Sequence, residues 1–410
     1  MTNVSWGAEA WAEVRLSLDH CIKCTVCETA CPVAAVTGLF PGPKTVGPQA
    51  ERFRAGEHSP DLSVDYCSGC GICSRVCPQE VRIAELNSRA RAELKRERGI
   101  PLRDQLVARP GLLGRTGRPV APLFNWAMAN PLIRYLGEKM VGIHRKAPVP
   151  KSVGRTFSYW VSHHRSVPRE RRVVYFHGCS TQWYEPYVGQ KVVAILEHNG
   201  FQVVTPRQDC CGLPLQSNGI FDAARQAATR LARQLSVSGT EELPVIASST
   251  SCGLMMKREA REILGADTPE LRSVSSRTYD IFEFLLELHQ RGELRTDFKP
   301  VPLTVAYHAP CQQQNQLIGK PALEVLRLIP GLRLLELDRS CCGIAGTYGV
   351  KREKYDIAMQ VGEPLFADIL AAGPDLVACD SETCRWQISG ATGATSVHPL
   401  EILHRAYGGS

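Results

Sequence analysis

In the second half of the chain, short apolar runs alternate with longer stretches whose apolar residues recur at helical spacing. The apolar runs have the length of buried strands and lie at Val173–Phe176, Val245–Ala247, Leu303–Tyr307 and Leu376–Ala378. The helical stretches lie near 188–198, 221–235, 320–328 and 351–371. This alternation predicts parallel sheets with helices on their faces, which is the α/β class of fold.

The same half of the chain contains an internal repeat. Each copy has a strand, a histidine and an opening cysteine, then Cys-Cys-Gly, then a second strand and a closing cysteine. The opening cysteine lies 31 positions before the first cysteine of Cys-Cys-Gly in the first copy and 30 in the second, and the closing cysteine lies 41 and 42 positions after the second cysteine of that motif. The repeat predicts two domains of one fold, at 171–298 and 299–410, with cysteines at strand ends, where α/β folds bind ligands. The nine cysteines are Cys179, Cys210, Cys211 and Cys252 in the first copy, and Cys311, Cys341, Cys342, Cys379 and Cys384 in the second.

The first eighty residues show a different pattern, in which cysteines recur at short, regular spacing. The run C-x2-C-x2-C-x3-C occurs twice, closed by Pro32 and by Pro78. In bacterial ferredoxins with two clusters, such a run supplies three thiolates to one [4Fe–4S] cluster, and its fourth cysteine binds the other cluster. We therefore assign one cluster to Cys21, Cys24, Cys27 and Cys77, and the other to Cys67, Cys70, Cys73 and Cys31.

Zinc is the alternative occupant of these runs, because pairs of C-x2-C also bind zinc. Zinc sites with two-plus-two spacing do not explain the third cysteine of each run or the proline, so iron–sulfur clusters are favoured. A charged stretch from Val81 to Arg98 predicts a helix at the end of an α-helical ferredoxin-type domain, 1–98. The clusters predict that the chain transfers electrons.

Residues 99–170 contain no cysteine and separate the two halves. Their first part is rich in glycine and proline and predicts a linker, and the apolar segment 121–143 then predicts a helix interrupted at Pro131. Basic residues follow this segment. Packing against protein is the favoured interpretation, and contact of an interfacial helix with anionic lipid is left open. The glycines and prolines are Gly111, Gly114, Gly117, Pro119 and Pro122.

Composition and charge narrow the function. The 17 cysteines in a chain without an evident secretion signal favour metal ligation in a reducing compartment over disulfides. The formal net charge of +7 counts the cysteines as neutral. Thiolate-bound clusters lower this charge, so nucleic acid is not predicted as a partner. We predict no transmembrane helix, because no apolar run of about 18 residues is present.

Two histidines and two glycines accompany the repeated cysteines. Gly212 and Gly343 allow the backbone to turn tightly next to a cofactor. His177 and His308 precede the opening cysteines, and each is either a packing residue or a functional one that binds metal, donates to a cluster or transfers quinone protons. Dinucleotide, phosphate-loop and nucleophile-elbow motifs were not found, which predicts that flavin and substrate chemistry lie on another chain.

The repeat resembles the cysteine-rich CCG domain found in the B subunit of heterodisulfide reductase. A ferredoxin-type pair followed by two CCG domains resembles the C subunits of anaerobic glycerol-3-phosphate dehydrogenase, and iron–sulfur subunits of glycolate and lactate oxidation share this layout. The resemblance to the C subunits covers essentially the whole chain. It is carried by the segments Cys21–Cys27, Pro41–Lys44, Cys341–Gly349 and Glu382–Gln387.

The resemblance implies a function and partners. We expect an iron–sulfur subunit at the cytoplasmic side of the inner membrane that passes electrons from a flavoprotein sn-glycerol-3-phosphate dehydrogenase to membrane quinone. A glycolate- or lactate-oxidising partner and a thiol–disulfide reductase related to heterodisulfide reductase are the alternatives. The family's closing C-x2-C has serine at its first position here, Ser249 and Ser381, although Cys379 lies two positions before Ser381. Further iron–sulfur centres in the repeats are compatible with these ligands, but bond-breaking catalysis is disfavoured.

Overall fold

Two four-stranded parallel sheets form the framework of the second half of the chain. The computed structural model describes residues 8–54 and 61–409. The strands are β1 Arg172–Phe176, β2 Gln202–Val204, β3 Val245–Ala247, β4 Thr278–Asp280, β5 Thr304–His308, β6 Arg333–Leu337, β7 Leu376–Ala378 and β8 Ser396–Val397. The strand order is β2-β1-β3-β4 in the first sheet and β6-β5-β7-β8 in the second, so the two sheets share one topology. The predicted repeat of α/β domains with parallel sheets is confirmed.

The four predicted strands are the two central strands of each sheet. Residues Val173 to Phe176 of β1 are fully buried, which accounts for their continuous apolar character. The edge strands β2, β4, β6 and β8 were not predicted. Strands β2 and β6 are largely half-buried or exposed, and β8 has only two residues, so these three strands lack the buried apolar run that marks a central strand.

The N-terminal part consists of short helices and two cysteine loops around one longer helix. The elements here are α1 Ala8–Leu16, α2 Val26–Thr29, α3 Ile72–Arg75 and α4 Ile83–Arg98, with 3-10 turns at Ser17–His20 and Leu62–Tyr66 and a π-turn at Thr45–Gln49. Leu86 of α4 packs with Cys27 and Cys73, whereas Ala90 and Leu94 pack with the hydrophobic cluster that contains Cys31 and Cys67. The predicted helix at 81–98 is thus confirmed, and it supports both loops.

The segment after α4 is more regular than its composition predicts. Its helices are α5 Leu102–Val107, α6 Pro110–Gly117, α7 Ala121–Ala129, α8 Pro131–Val141 and α9 Phe157–Val161, with a 3-10 turn at Arg118–Val120. The stretch interpreted as a linker contains helix α6. Gly114 of this helix serves close packing, since a Cβ at that position would lie 2.5 Å from Trp183 Cβ. The helical segment is interrupted at Pro131, as predicted. Pro131 begins a second helix, and Asn130 caps that helix by accepting from Leu132 N at 2.9 Å.

The two sheets are joined by one hydrophobic core. The helices around them are α10 Gly178–Trp183, α11 Pro186–His198, α12 Leu213–Ser217, α13 Phe221–Leu235, α14 Thr250–Leu254, α15 Ala260–Glu262, α16 Pro269–Arg277, α17 Ile281–Gln290, α18 Cys311–Gln314, α19 Pro321–Leu326, α20 Tyr355–Ala372, α21 Glu382–Thr392 and α22 Pro399–Ala406, with a π-turn at Met255–Glu259. Helices α11 and α17 of the first repeat and α19 and α22 of the second lie between the sheets, where Val192, Leu285, Leu326 and Leu403 belong to a single buried cluster. Other helices cover the outer faces.

Among the described residues, no helix combines the length and the apolar composition that are needed to cross a bilayer.

Candidate iron–sulfur sites and the cavity between them

The two N-terminal cysteine loops have matching backbones. Lys23 and Thr25 in the first loop have φ angles of 60° and 68°, and Gly69 and Gly71 at the same positions of the second have 71° and 77°. Left-handed residues on both sides of the second cysteine curl each loop around a common centre. The loops therefore present their first three thiols inward, as a cubane cluster requires.

The fourth cysteine of each run lies beside the other loop. Cys77 and Cys21 both act electrostatically on Cys27, and Cys31 acts on Cys73 together with Cys67 and Cys70. The structure thus brings together the sets that the spacing predicted: Cys21, Cys27 and Cys77 with Cys24 on the same loop, and Cys67, Cys70, Cys73 and Cys31. Cys24 is exposed, whereas most of the others are buried.

Burial makes these thiols weak acids in the absence of metal. Desolvation raises the pKa of Cys27 and of Cys31 to about 11, and that of Cys70 to about 12. Iron ligation requires the thiolate, so the positive iron ions of a cluster compensate for the burial and cluster assembly releases protons.

In the first CCG repeat, four thiols meet at the carboxyl ends of β1, β2 and β3. Cys179 contacts Cys210, and this contact lowers the pKa of Cys210. Cys211 Sγ lies 3.6 Å from Cys252 Sγ. Gly212 has φ +91°, and a Cβ there would lie 2.6 Å from the carbonyl oxygen of Ala224, so the Cys-Cys turn requires glycine.

The second repeat reproduces this arrangement and adds a fifth thiol. Contact with Cys311 lowers the pKa of Cys341, and Cys342 Sγ lies 3.0 Å from Cys384 Sγ. Gly343 N donates to Cys341 Sγ at 3.3 Å, as Gly212 N donates to Cys210 Sγ at 3.5 Å in the first repeat. Cys379 is fully buried and contacts Cys384. Cys379 therefore joins the same group, as the sequence suggested.

The donor set fits iron–sulfur clusters. All 17 cysteines are free thiols, and they converge in groups of four or five. Such groups of desolvated sulfur atoms are suited to iron, and the backbone N–H groups of the two glycines hydrogen-bond to sulfur as in known cluster sites. These cysteines are the residues that would hold the centres, and the assignment of each cysteine to a cluster stays a prediction.

The two serines have neighbours other than the cysteines. Ser249 Oγ donates to both carboxylate oxygens of Glu382, at 3.3 and 3.4 Å, and Ser381 Oγ lies 3.3 Å from Thr383 Oγ1. Glu382 is carried by the second repeat and reaches the first, where burial raises its pKa. No sequence motif assigned a role to this carboxyl group.

The two histidines have different environments. His177 Nδ1 bonds to Gly178 O at 2.9 Å, and its ring packs against Phe157 with centroids 5.1 Å apart. His308 is fully buried, and one of its ring nitrogens lies within 4.8 Å of the sulfurs of Cys342 and Cys384. The two histidines, which have equivalent places in the sequence repeat, therefore have different surroundings in the structure.

A cavity of about 1060 Å³ lies between the two repeats. Thiols of both repeats line one side, together with Glu382. Helices α6 to α8 close the other side with apolar side chains, so the segment between the two halves forms part of the site. These side chains are Leu113, Phe124, Met128, Ile133, Val141 and Ile143.

The ferredoxin-type thiols lie against those of the second repeat. Cys70 packs with Cys311 and Cys341 in one buried cluster. Asn315 connects the two parts, because its Nδ2 donates to Cys70 O at 2.8 Å while its Oδ1 accepts from Arg75 at 3.2 Å. No sequence motif pointed to Asn315, since it lies 245 residues from Cys70.

Comparison with known families agrees with this geometry. The family described as 4Fe-4S dicluster domain matches residues 17–81, and the family described as Cysteine-rich domain matches residues 173–257 and 305–389. The chain therefore carries iron–sulfur clusters, as predicted.

One relative resembles the chain along nearly its whole length. Over 399 residues, the chain is 39% identical to the C subunit of the anaerobic glycerol-3-phosphate dehydrogenase of Escherichia coli (strain K12), and the match covers 95% of this chain and 98% of the relative. The chain belongs to the family of these C subunits. This confirms the resemblance that the motifs indicated.

More distant relatives of the C-subunit family cover about half of the chain. Lactate utilization protein A of Exiguobacterium sp. is 26% identical over 242 residues, which are 57% of this chain and 95% of that protein. The D subunit of the dihydromethanophenazine:CoB–CoM heterodisulfide reductase of Methanosarcina barkeri is 26% identical over 246 residues, 57% of this chain and 58% of that protein. Both alternative functions thus have relatives at this lower similarity.

Proposed function

We propose that this C-subunit relative transfers electrons from a flavoprotein that oxidises sn-glycerol 3-phosphate to a membrane quinone. The observation that carries the proposal is the cavity, because redox-active thiol sites and an apolar wall meet there. Iron–sulfur clusters, when bound, supply one-electron oxidation and reduction. The chain's own residues hold the centres close together, exclude water from them and shape the acceptor site.

Contacts between thiol groups support a relay of adjacent centres. Cys70 of the ferredoxin-type part packs against Cys311 and Cys341 of the second repeat, and both repeats face one cavity. Burial of these sulfurs keeps water away from the sites. The entry point from the flavoprotein is proposed to be the ferredoxin-type part, where the exposed Cys24 marks the most accessible ligand.

The cavity suits the head group of a quinone. Its wall of Phe124, Met128 and Ile133 is apolar, and Glu382 places one carboxyl group in the lining. Burial raises the pKa of Glu382 and so favours its protonated form, from which a carboxyl proton can pass to a quinone as the quinone is reduced. The serine at position 249 orients this carboxyl group.

A substitution in the apolar wall tests the acceptor site. We expect Ile133→Trp, which fills the cavity, to slow reduction of a soluble short-chain quinone by the chain with its flavoprotein and sn-glycerol 3-phosphate. Reduction of the chain by the flavoprotein should be unchanged. The matched control is Leu132→Trp, at the preceding residue, whose side chain is 65% exposed. An equal rate in both variants would place the quinone elsewhere, and failure of the wild-type complex to reduce quinone would refute the proposed function.

The outer face of α7 and α8 supports a peripheral place on the cytoplasmic surface of the inner membrane. Trp126, Leu132 and Met140 are 59%, 65% and 84% exposed, and Lys139 and Arg145 lie exposed beside them. Apolar side chains beside basic ones bind anionic lipid surfaces. The same helices contribute apolar side chains to the cavity, so a quinone that leaves the lipid there would have a short route to the site.

Vesicle flotation tests this placement. We expect Trp126→Asp with Met140→Asp to reduce flotation of the full chain with vesicles that contain anionic phospholipid. The matched control is Leu317→Asp with Phe53→Asp, since those side chains are 70% and 77% exposed but lie outside these helices. Equal flotation of the two double variants would remove the membrane assignment and leave the electron-transfer proposal standing.

The flavoprotein's substrate can be tested separately from the electron path. Purification of the complex identifies whether its flavin subunit oxidises sn-glycerol 3-phosphate or a hydroxy acid, which the similarity to lactate utilization protein A keeps as the second candidate. Thiol–disulfide catalysis is not favoured, because Ser249 and Ser381 bond to Glu382 and Thr383.

A further inference from the structure

His308 is a buried histidine whose ring nitrogens have no ordinary hydrogen-bond partner among the described residues. The residue ends strand β5 and is fully buried; neither Nδ1 nor Nε2 forms a hydrogen bond of normal geometry, although the ring interacts with the side chain of Cys384. A buried polar group without a partner is costly, so such groups usually have a ligand or an ion.

The nearest groups that can share a ligand with this ring are thiols. One ring nitrogen of His308 and the sulfurs of Cys342 and Cys384 all lie within 4.8 Å of one another, and all three residues are buried. Imidazole nitrogen replaces thiolate on one iron of the Rieske-type centres, so a mixed donor set of this kind is chemically established. The spacing allows one iron to bind all three atoms.

The first repeat provides an internal comparison. Phe176 of β1 pairs with Ala247, and Tyr307 of β5 pairs with Ala378, so His177 and His308 occupy the same place after the central strand. His177 precedes its cysteine by two positions and His308 by three, because Pro310 is an extra residue. The ring of His177 bonds to Gly178 O and packs against Phe157 instead of meeting the thiols.

We propose that His308 is a nitrogen ligand to iron in the centre of the second CCG repeat. The histidine then adds a nitrogen ligand to a group that has Ser381 in place of the family's cysteine and Cys379 two positions earlier. A neutral imidazole leaves the centre less negative than a thiolate does, so this centre has a higher reduction potential than one bound by thiolates alone.

Pulsed EPR on the full, anaerobically iron-loaded chain with 15N-labelled histidine tests the assignment. We expect the strong hyperfine coupling of a directly bound nitrogen in the wild-type chain, its loss in His308→Gln, and its retention in His177→Gln. His308→Cys, which offers a thiolate in place of the imidazole, should keep the iron content, lose the coupling and lower the midpoint potential of this centre.

Three outcomes would overturn the proposal. The first is absence of a strongly coupled histidine nitrogen in the loaded wild-type chain. The second is its persistence in His308→Gln. The third is an iron content that does not fall in Cys342→Ser with Cys384→Ser, because the second repeat would then hold no iron. These measurements do not involve a flavoprotein or a quinone, so their result is independent of the proposed function.

Discussion

The contact between Gly71 and Asn315 can be tested by adding a single methyl group. A Cβ at residue 71 would lie 2.7 Å from Asn315 Cγ and closer still to its Nδ2, so Gly71→Ala forces Asn315 to move. Asn315 would then lose its bond to Cys70 O, 2.8 Å long, and its bond from Arg75, 3.2 Å long. The substitution therefore removes the hydrogen bonds of Asn315 that connect the ferredoxin-type loop to the second repeat.

The magnitude follows from two contributions. A side chain in the left-handed region, here at φ +77°, costs roughly 1–2 kcal/mol relative to glycine. Loss of the two hydrogen bonds made by Asn315 adds about 2 kcal/mol. Gly69→Ala is the matched control, because it has φ +71° but its nearest neighbour would be Arg91 Nη1, 3.9 Å away. Gly71→Ala should therefore be about 2 kcal/mol less stable than Gly69→Ala.

Thermal denaturation of the cluster-loaded chain, followed anaerobically by visible absorbance, measures the difference. We expect the midpoint of Gly71→Ala to lie a few degrees below that of Gly69→Ala. In an Asn315→Ala background the clash is absent, and the two alanine variants should become equally stable. Equal midpoints in the wild-type background, or a difference that survives Asn315→Ala, would show that Asn315 does not couple the two parts.

Two further predictions concern buried charge. Burial raises the pKa of Cys31 to about 11, so in the cluster-free chain the thiol stays protonated to a higher pH when folded than when unfolded. The contribution of Cys31 to the free energy of unfolding is therefore present below about pH 9 and is lost towards pH 11. Urea unfolding across this range should show the loss, and Cys31→Ser should reduce the slope; a pH-independent difference between the two chains would contradict this. Arg385 is buried and donates to Glu185 and to Cys379 O, so Arg385→Met leaves the buried carboxylate of Glu185 without its counter-charge and with only the hydrogen bond from Trp386 Nε1, and it should cost about 3 kcal/mol by urea denaturation. Adding Glu185→Gln should recover part of this loss, and no recovery would show that the ion pair is not the cause.

Local spacing predicted which cysteines of the N-terminal part lie together. Three cysteines within seven residues constrain a loop to present its thiols to one centre, so the sequence was enough to group Cys21, Cys24 and Cys27. The same holds for the central strands, since β1 and β3 are buried on both faces and are therefore apolar throughout. The edge strands and helix α6 were missed, because partial exposure removes the apolar run and because glycine serves close packing in α6.

The sequence alone determined the type of metal ligand and the class of fold, because thiols at fixed spacing indicate iron–sulfur ligation and repeated strand–cysteine units indicate an α/β fold. Which ligands meet follows from the folded chain instead. In the folded chain, Cys70 packs with Cys311 and Cys341, and the glycine-rich segment lines the cavity. His308 lies beside thiols, whereas His177 does not. The physical reason is that these contacts depend on packing between residues far apart in the chain, which no local sequence pattern specifies. The extra residue before Cys311, for example, accompanies a different placement of the His308 ring.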